Sequence, residues 1–227
     1  HRIKRGSFMK PKFNVNQPEK DKCYTPSYAV DALLEFMHEK RVPLHRMTFY
    51  EPAVGQFHIQ KVVEPWVKRV LYSDIEPSST DELRLPAPAA DFLNPRDATV
   101  ERYIELCDAI ITNPPYTSKF KQGFIERCVD SGKDFALLMP LETLASKKSQ
   151  LAFEKIGGVS ILVFDSRVDF IMPGMENASK SSAQFPVAWF ISGFHIGRNN
   201  IHYRSITRQK SAYKKKSLKD RADDTNN

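Results

Sequence analysis

The chain has 227 residues and a formal net charge of +7, with 41% hydrophobic and 27% charged residues. This balance suits one globular domain with a buried core and excludes a chain too polar to fold. Apolar runs such as 161–164 and 188–191 are too short to cross a bilayer, so we expect no membrane partner. Three well-separated cysteines without a CxxC pair argue against a disulfide framework and against a metal site, and they favour a cytoplasmic or otherwise intracellular protein.

The two ends of the chain are expected to contribute little to the core. Residues 1–8 precede the methionine at position 9, and we interpret them as a tag remnant. Without Arg2, Lys4 and Arg5 the formal charge falls to +4. The remaining positive charge gathers in 198–227, a basic segment predicted to be partly disordered and suited to hold phosphates. One folded domain is predicted over 9–197.

Apolar runs alternate with amphipathic stretches along this domain. Helices are predicted at 27–40, 57–67, 120–131 and 141–156, and strands at 47–51, 69–73, 109–112, 135–139, 160–164 and 187–192. Thr25 and Pro26 suit the cap and first turn of the first helix. The alternation indicates an α/β fold with a mainly parallel sheet. An irregular stretch at 172–185 is predicted to be a mobile loop that takes part in target recognition.

The sharpest motif is Asn113-Pro-Pro-Tyr116, which follows the buried strand 109–112. Ligands of open parallel sheets bind at the carboxyl ends of the strands, and two prolines hold this backbone rigid. The Asn113 side-chain oxygen and the Pro114 carbonyl would accept both N–H bonds of a planar amine and turn its lone pair toward an electrophile. Tyr116 would offer a stacking face for an extruded base.

Three acidic segments come before this motif. Glu51 ends the first strand and is followed by Gly55, which permits a tight turn. Asp74 lies 23 positions beyond Glu51 at the end of the next strand, a position that suits ribose hydroxyls, and Glu76 competes for the same role. Asp91 and the phenylalanine after it would suit an amino group and an aromatic ring. Together these residues indicate a nucleoside-containing ligand with a cationic end.

The motif order resembles that of the amino N6-adenine DNA methyltransferases of the class I, Rossmann-like fold, in their gamma arrangement. The matching segments are Tyr24-Thr-Pro26, Glu51-Pro-Ala-Val-Gly55, Asp74-Ile-Glu76, Asp91-Phe-Leu93 and Asn113-Pro-Pro-Tyr116. They cover roughly the first half of the chain. The resemblance implies a three-layer α/β catalytic domain, S-adenosyl-L-methionine as cofactor, and methyl transfer to adenine N6 in duplex DNA by base flipping.

The resemblance also assigns roles to individual residues. The catalytic set is Asn113, Pro114, Pro115 and Tyr116. The cofactor would be held by Tyr24, Thr25, Pro26, Glu51, Pro52, Ala53, Gly55, Asp74, Ile75, Asp91, Phe92 and Asn113. In the resemblance Tyr116 meets the target base. From their positions in the chain we also expect Lys119, Arg167 and Phe170 to contact DNA, although Arg167 and Phe170 equally suit local packing and Lys119 suits a solvated helix start.

Two departures from the family pattern leave alternatives open. Gln56-Phe57 stands where a second glycine is usual, so the path of the cofactor loop is open. No large target-recognition domain follows the catalytic half, so selectivity would come from 172–185, the basic segment, a second copy of the chain or a specificity subunit. The alternative functions are methylation of RNA adenine, methylation of protein glutamine at N5, and non-catalytic nucleic-acid binding. A role in restriction-modification, phage protection or regulation is left open.

Overall fold

The computed structural model describes residues 23–77, 87–171 and 185–206. Within these ranges the strands are β1 (Thr48–Glu51), β2 (Arg69–Tyr72), β3 (Ala109–Thr112), β4 (Asp134–Pro140), β5 (Ser160–Phe164), β6 (Val187–Ser192) and β7 (Ile201–Arg204). The helices are α1 (Ser27–Glu39), α2 (His58–Val63), α3 (Ala98–Leu106), α4 (Ser118–Ser131) and α5 (Lys147–Glu154), with short 3-10 helices at Leu44–Arg46 and Leu141–Ala145. The predicted tag remnant and residues 172–184 and 207–227 lie outside the described residues.

All the described strands join one sheet in the order β2-β1-β3-β4-β6-β5-β7. Strand β6 runs antiparallel to both of its neighbours, and every other neighbouring pair is parallel. The predicted α/β fold with a mainly parallel sheet is therefore confirmed. Because β1, β2 and β3 are parallel neighbours, the residues that follow them meet at one edge of the sheet.

Successive residues of the central strands point to opposite faces, and each face is covered by helices. Phe49 and Ile111 share one buried cluster with α1 and α2. Tyr50 and Ile110 share the other with α3, α4 and α5. The resulting three layers, helix, sheet and helix, are those expected from the sequence.

Several predicted helix boundaries were wrong, each for a local reason. Helix α2 ends at Val63, because Pro65 cannot continue an α-helix. The predicted helix 141–156 is divided, because the Ser146 side chain accepts a hydrogen bond from the Ser149 N–H and starts α5 anew. Helix α3 was not predicted; Asp97 caps it by accepting from the backbone N–H groups of its first turn.

The start of α1 also differs from expectation. Pro26, not Thr25, occupies the N-cap position, and no side chain caps this helix. The Thr25 hydroxyl is therefore not used by the helix that follows it.

The sheet continues past residue 197, the predicted end of the domain. Strand β7 pairs with β5, and Ile206 is buried with the α1 cluster. Arg204, part of the segment expected to hold phosphates, donates to Glu35 and Glu39 of α1 at 2.9–3.2 Å. Its positive charge is thus already paired within the fold.

In the part of the chain that the structure describes, no helix is both long and apolar enough to cross a membrane.

Candidate active site

A cavity of about 680 Å³ opens at the carboxyl ends of β1, β2 and β3. This volume lies within the range of small-molecule and cofactor sites. Most of the predicted cofactor and catalytic residues line it, namely Tyr24, Thr25, Glu51, Pro52, Ala53, Gly55, Asp74, Ile75, Asp91, Phe92, Asn113, Pro114 and Pro115. Segments that are distant in sequence thus meet where the motif spacing predicted.

The Asn113 side chain is oriented by a contact with Cys23, another residue of the cavity wall. Its Nδ2 donates to the backbone carbonyl of Cys23 over 3.4 Å. Because a carbonyl only accepts hydrogen bonds, this contact identifies which end of the amide is nitrogen. The opposite end, Oδ1, is buried and has no hydrogen-bond partner among the described residues. Asn113, which lines the cavity, therefore carries a buried acceptor that the described residues leave unsatisfied.

Glu51 is only 1% exposed, and its Oε2 atom has no partner within the described ranges. Burial raises the pKa of this carboxyl well above its ordinary value, and the nearby negative charge of Asp74 raises it further. A backbone hydrogen bond from Gln60 opposes these effects. A cationic ligand group would both satisfy the vacant oxygen and stabilise the ionised form.

Asp74 stabilises the turn at Gly55 as well as lining the cavity. Its Oδ2 accepts from the Gly55 backbone N–H at 2.8 Å, and its Oδ1 accepts from the Glu76 N–H at 2.8 Å. Carboxylate oxygens have further acceptor capacity, so these contacts leave room for a ligand hydroxyl. Glu76, the competing acid, also lines the cavity and is exposed.

The turn that lacks the family's second glycine keeps a glycine-like conformation. Gly55 has φ +51°, and a Cβ there would lie 3.3 Å from the Tyr24 ring. Phe57 has φ +64° and ψ 23°, the left-handed region that favours glycine. Its ring is 1% exposed and packs edge-on against Tyr72 at 5.2 Å. Burial of the ring offsets the backbone strain, so the cavity forms without the glycine.

Residues 23–25 form one wall of the cavity. The main chain of Tyr24 exchanges two hydrogen bonds with Ile171, at 2.8 and 2.9 Å. The Tyr24 ring stacks on His58 with centroids 4.9 Å apart and an interplanar angle of 14°. Thr25 is 2% exposed, and its Oγ1 has no partner among the residues described.

A further part of the wall combines the 91–93 segment with α4. Asp91 Oδ1 accepts from the Leu93 N–H at 3.0 Å, which fixes this turn. Phe92 packs against Phe124 with centroids 4.9 Å apart. A Cβ on Gly123 would lie 3.1 Å from Leu93, so the glycine lets α4 approach closely.

Some residues of the cavity were missed by sequence reasoning. They are Cys23, Val54, Gln56, His58, Ile59, Leu93, Thr117, Phe120 and Phe124. Phe120 and Phe124 follow Tyr116 at intervals of four residues, a helical spacing that was a usable signal. For Cys23 and His58 we find no such signal in the sequence.

Pro26, Tyr116, Lys119, Arg167 and Phe170 are predicted site residues that do not line this cavity. Tyr116 is half-buried and packs edge-on against Phe170 at 6.1 Å and against Phe185 at 5.7 Å. Phe170 is itself buried, whereas Lys119 and Arg167 are exposed.

Within residues 23–77, 87–171 and 185–206, no group of three or more His, Cys, Asp or Glu side chains is arranged to hold a metal ion.

The sequence matches no protein-family model and no curated protein sequence. Similar solved structures include a Pyrococcus horikoshii protein provisionally named an RNA methyltransferase, with a TM-score of 0.54 and 12% identity, covering 81% of this chain and 92% of that one. Another is a protein from Listeria monocytogenes provisionally named a class I S-adenosylmethionine-dependent methyltransferase, with a TM-score of 0.51, 12% identity, and coverage of 85% and 68%. The chain therefore has the class I methyltransferase fold.

Proposed function

We propose that this protein is an S-adenosylmethionine-dependent methyltransferase acting on the N6 amine of adenine in DNA. The observation that carries the proposal is the buried Oδ1 of Asn113, which has no hydrogen-bond partner among the described residues; both Asn113 and the Pro114 that follows it line the cavity. An acceptor in this position is what a planar amine with two N–H donors requires.

The residues of the cavity fit the proposed cofactor. Glu51 Oε2 would take the cationic amino group of its methionine part, and Asp74 or Glu76 its ribose hydroxyls. Asp91 would take the adenine amino group, with Phe92 packed beside the ring. The Thr25 hydroxyl is a further vacant group on the same wall. When bound, the cofactor supplies a sulfonium methyl group as the electrophile.

The protein contributes position and electrostatics to the reaction. Asn113 Oδ1 and the Pro114 carbonyl accept the two N6 hydrogens, which draws the nitrogen toward tetrahedral geometry and frees its lone pair. With the cofactor held by Glu51, Asp74 and Asp91, this lone pair would take up its methyl group as the carbon–sulfur bond breaks, and the surplus N6 proton would pass to water. The two prolines keep both acceptors in place, so little reorganisation accompanies the step.

Tyr116 is proposed to stack on the extruded base. Its ring makes T-shaped contacts with Phe170 and Phe185, which hold its orientation. In this arrangement Phe170 supports Tyr116 and does not itself meet the base. The exposed Lys119, in the first turn of α4, is proposed to meet a phosphate.

RNA adenine is the second candidate substrate, because the name of the Pyrococcus neighbour refers to RNA. The motif resemblance favours DNA, and the positive charge of the chain suits either nucleic acid. The bond-forming groups are the same for both.

The test is to incubate the protein with labelled cofactor and, separately, duplex DNA, single-stranded DNA, RNA and a glutamine-bearing protein extract. We expect N6-methyladenine from DNA. Asn113→Ala should lower kcat by about 10²–10³-fold, the effect of removing one positioned hydrogen-bonding group. Asn200→Ala, an exposed asparagine outside the cavity, should leave kcat unchanged.

Other outcomes decide against parts of the proposal. Methyladenine from RNA alone would transfer the assignment to the second candidate. Label in glutamine would overturn the nucleic-acid assignment. Absence of cofactor binding in calorimetry would identify a non-catalytic subunit.

A further inference from the structure

We propose that the stacked pair of Tyr24 and His58 is a positioning device that fixes the amide of Asn113 through the Cys23 carbonyl. The proposal rests on the function proposed above for Asn113. It assigns a role to His58, which the motif pattern left without one.

The Asn113 amide has two ends of similar shape and opposite hydrogen-bonding character. If the amide were rotated by half a turn, Nδ2 would face the substrate amine, and two donors would oppose each other. The Cys23 carbonyl prevents this, because it can pair with Nδ2 but not with Oδ1. The 3.4 Å contact is long for a hydrogen bond, so its strength depends on where the carbonyl is held.

The position of the Cys23 carbonyl is determined by the residue after it. Tyr24 is fixed at its main chain by the pair of hydrogen bonds to Ile171. It is fixed at its side chain by the parallel stack on His58, at 4.9 Å and 14°. Gly55 admits the ring, since any Cβ there would lie 3.3 Å from it.

The stack joins two parts of the site that are distant in sequence. His58 is the first residue of α2, directly after the Gly55 turn, whereas Tyr24 precedes α1. Without the imidazole, the aromatic ring of Tyr24 loses its support on one side, and the Cys23 carbonyl can move. The vacant Asn113 oxygen would then spend part of its time turned away from the substrate.

The first test compares His58→Ala with His58→Phe, which keeps a ring for stacking. At saturating cofactor and DNA, we expect His58→Ala to lower kcat about tenfold and His58→Phe to recover most of it. The Kd for S-adenosylhomocysteine should change less than threefold in both. His38→Ala is the matched control, because His38 packs edge-on against Trp66 outside the cavity. A His58→Ala variant with unchanged kcat and a raised Kd would overturn the proposal and make His58 a cofactor contact.

The second test observes the amide directly and needs no substrate. The side-chain amide signals of Asn113 in a ¹⁵N–¹H NMR spectrum are assigned by their loss in Asn113→Ala. We expect them to shift or broaden in His58→Ala and to stay in place in His58→Phe and His38→Ala. Unchanged signals in His58→Ala would overturn the proposal. Failure of the wild-type protein to methylate adenine would instead contradict the proposed function, whatever the spectrum shows.

Discussion

Three buried oxygen atoms at the cavity wall have no hydrogen-bond partner in the described part of the chain. They belong to Thr25, Glu51 and Asn113. A buried polar group without a partner costs about 1–3 kcal/mol, and a ligand that supplies donors removes this cost. Residues of this kind lower the stability of the free protein and raise its affinity for ligand.

Glu51→Gln should therefore stabilise the free protein at neutral pH while weakening the binding of the cofactor product. Burial raises the pKa of Glu51 above its unfolded value of about 4.5. A carboxyl with a raised pKa contributes stability below the unfolded pKa, and that contribution is lost as the pH rises through the folded pKa. The side-chain amide of the Glu51→Gln variant does not ionise, so the variant does not lose this stability as the pH rises. We expect the Tm of the variant to exceed that of the wild type by a few degrees at pH 7 and the difference to vanish below about pH 4.5.

The same variant should bind S-adenosylhomocysteine at least tenfold more weakly in calorimetry, because an amide cannot pair with the ligand's ammonium group as an ion. Glu154→Gln, at an exposed position of α5, should change neither the Tm nor the Kd for S-adenosylhomocysteine. A Tm difference for Glu51→Gln that stays constant from pH 4 to pH 8 would contradict the linkage argument.

Two helices are flanked by a residue other than glycine whose backbone lies in the left-handed region. Arg41, at φ +61°, follows the last turn of α1. There the Val42 N–H reaches the Met37 carbonyl and the Arg41 N–H reaches the His38 carbonyl, the Schellman arrangement in which glycine is usual. Phe57, at φ +64°, precedes α2.

Arg41→Gly should stabilise the protein by about 1 kcal/mol, because glycine adopts this conformation without the penalty that a Cβ brings. The Arg41 side chain is exposed, so little packing is lost. Denaturant unfolding monitored by tryptophan fluorescence measures the change. A destabilised Arg41→Gly would show that the side chain makes a contact worth more than the strain.

Phe57→Gly should instead lower the free energy of unfolding. The substitution removes a similar strain but also a ring that is 1% exposed, and truncation of a buried phenylalanine costs about 3–5 kcal/mol. We expect a net loss of about 2–4 kcal/mol in the same unfolding experiment. An unchanged free energy of unfolding would mean that the ring contributes little to packing between the Gly55 turn and β2.

The elements that sequence reasoning located are those with strong local patterns. The apolar strands and the Asn-Pro-Pro-Tyr motif carry their signal in a few adjacent residues. Helix α3 was not predicted although it carries a similar local pattern: Val100 and Ile104 are buried on one face of the helix, and Asp97 caps its start. The contact between Asn113 and Cys23 joins positions 90 apart, and the pairing of Tyr24 with His58 depends on how α1 and α2 dock. Contacts of this kind arise from the tertiary fold, so the position of the Asn-Pro-Pro-Tyr motif after a buried strand was predictable and the contacts that support Asn113 were not.

At the scale of the whole molecule, charge is unevenly distributed along the chain. Residues 207–227, outside the described ranges, carry seven lysines or arginines and three aspartates, a net charge of +4. Under the proposed function, removing this segment should weaken the binding of DNA and flatten its dependence on salt, since each phosphate contact adds to the slope of log K against log salt concentration. Fluorescence anisotropy at 50–200 mM salt measures both. The Kd for S-adenosylhomocysteine should not change, and an unchanged salt slope would exclude a phosphate role for this segment.

The pairing of Tyr24 with Ile171 has a consequence for the time at which the site becomes complete during synthesis. The two residues lie 147 positions apart, and every motif segment of the cavity is translated before the second of them. A nascent chain on the ribosome therefore carries all the chemical groups of the site well before it can close the wall that orients them. The cavity should therefore be completed in a late step, once Ile171 and the strands β6 and β7 that complete the sheet have left the exit tunnel.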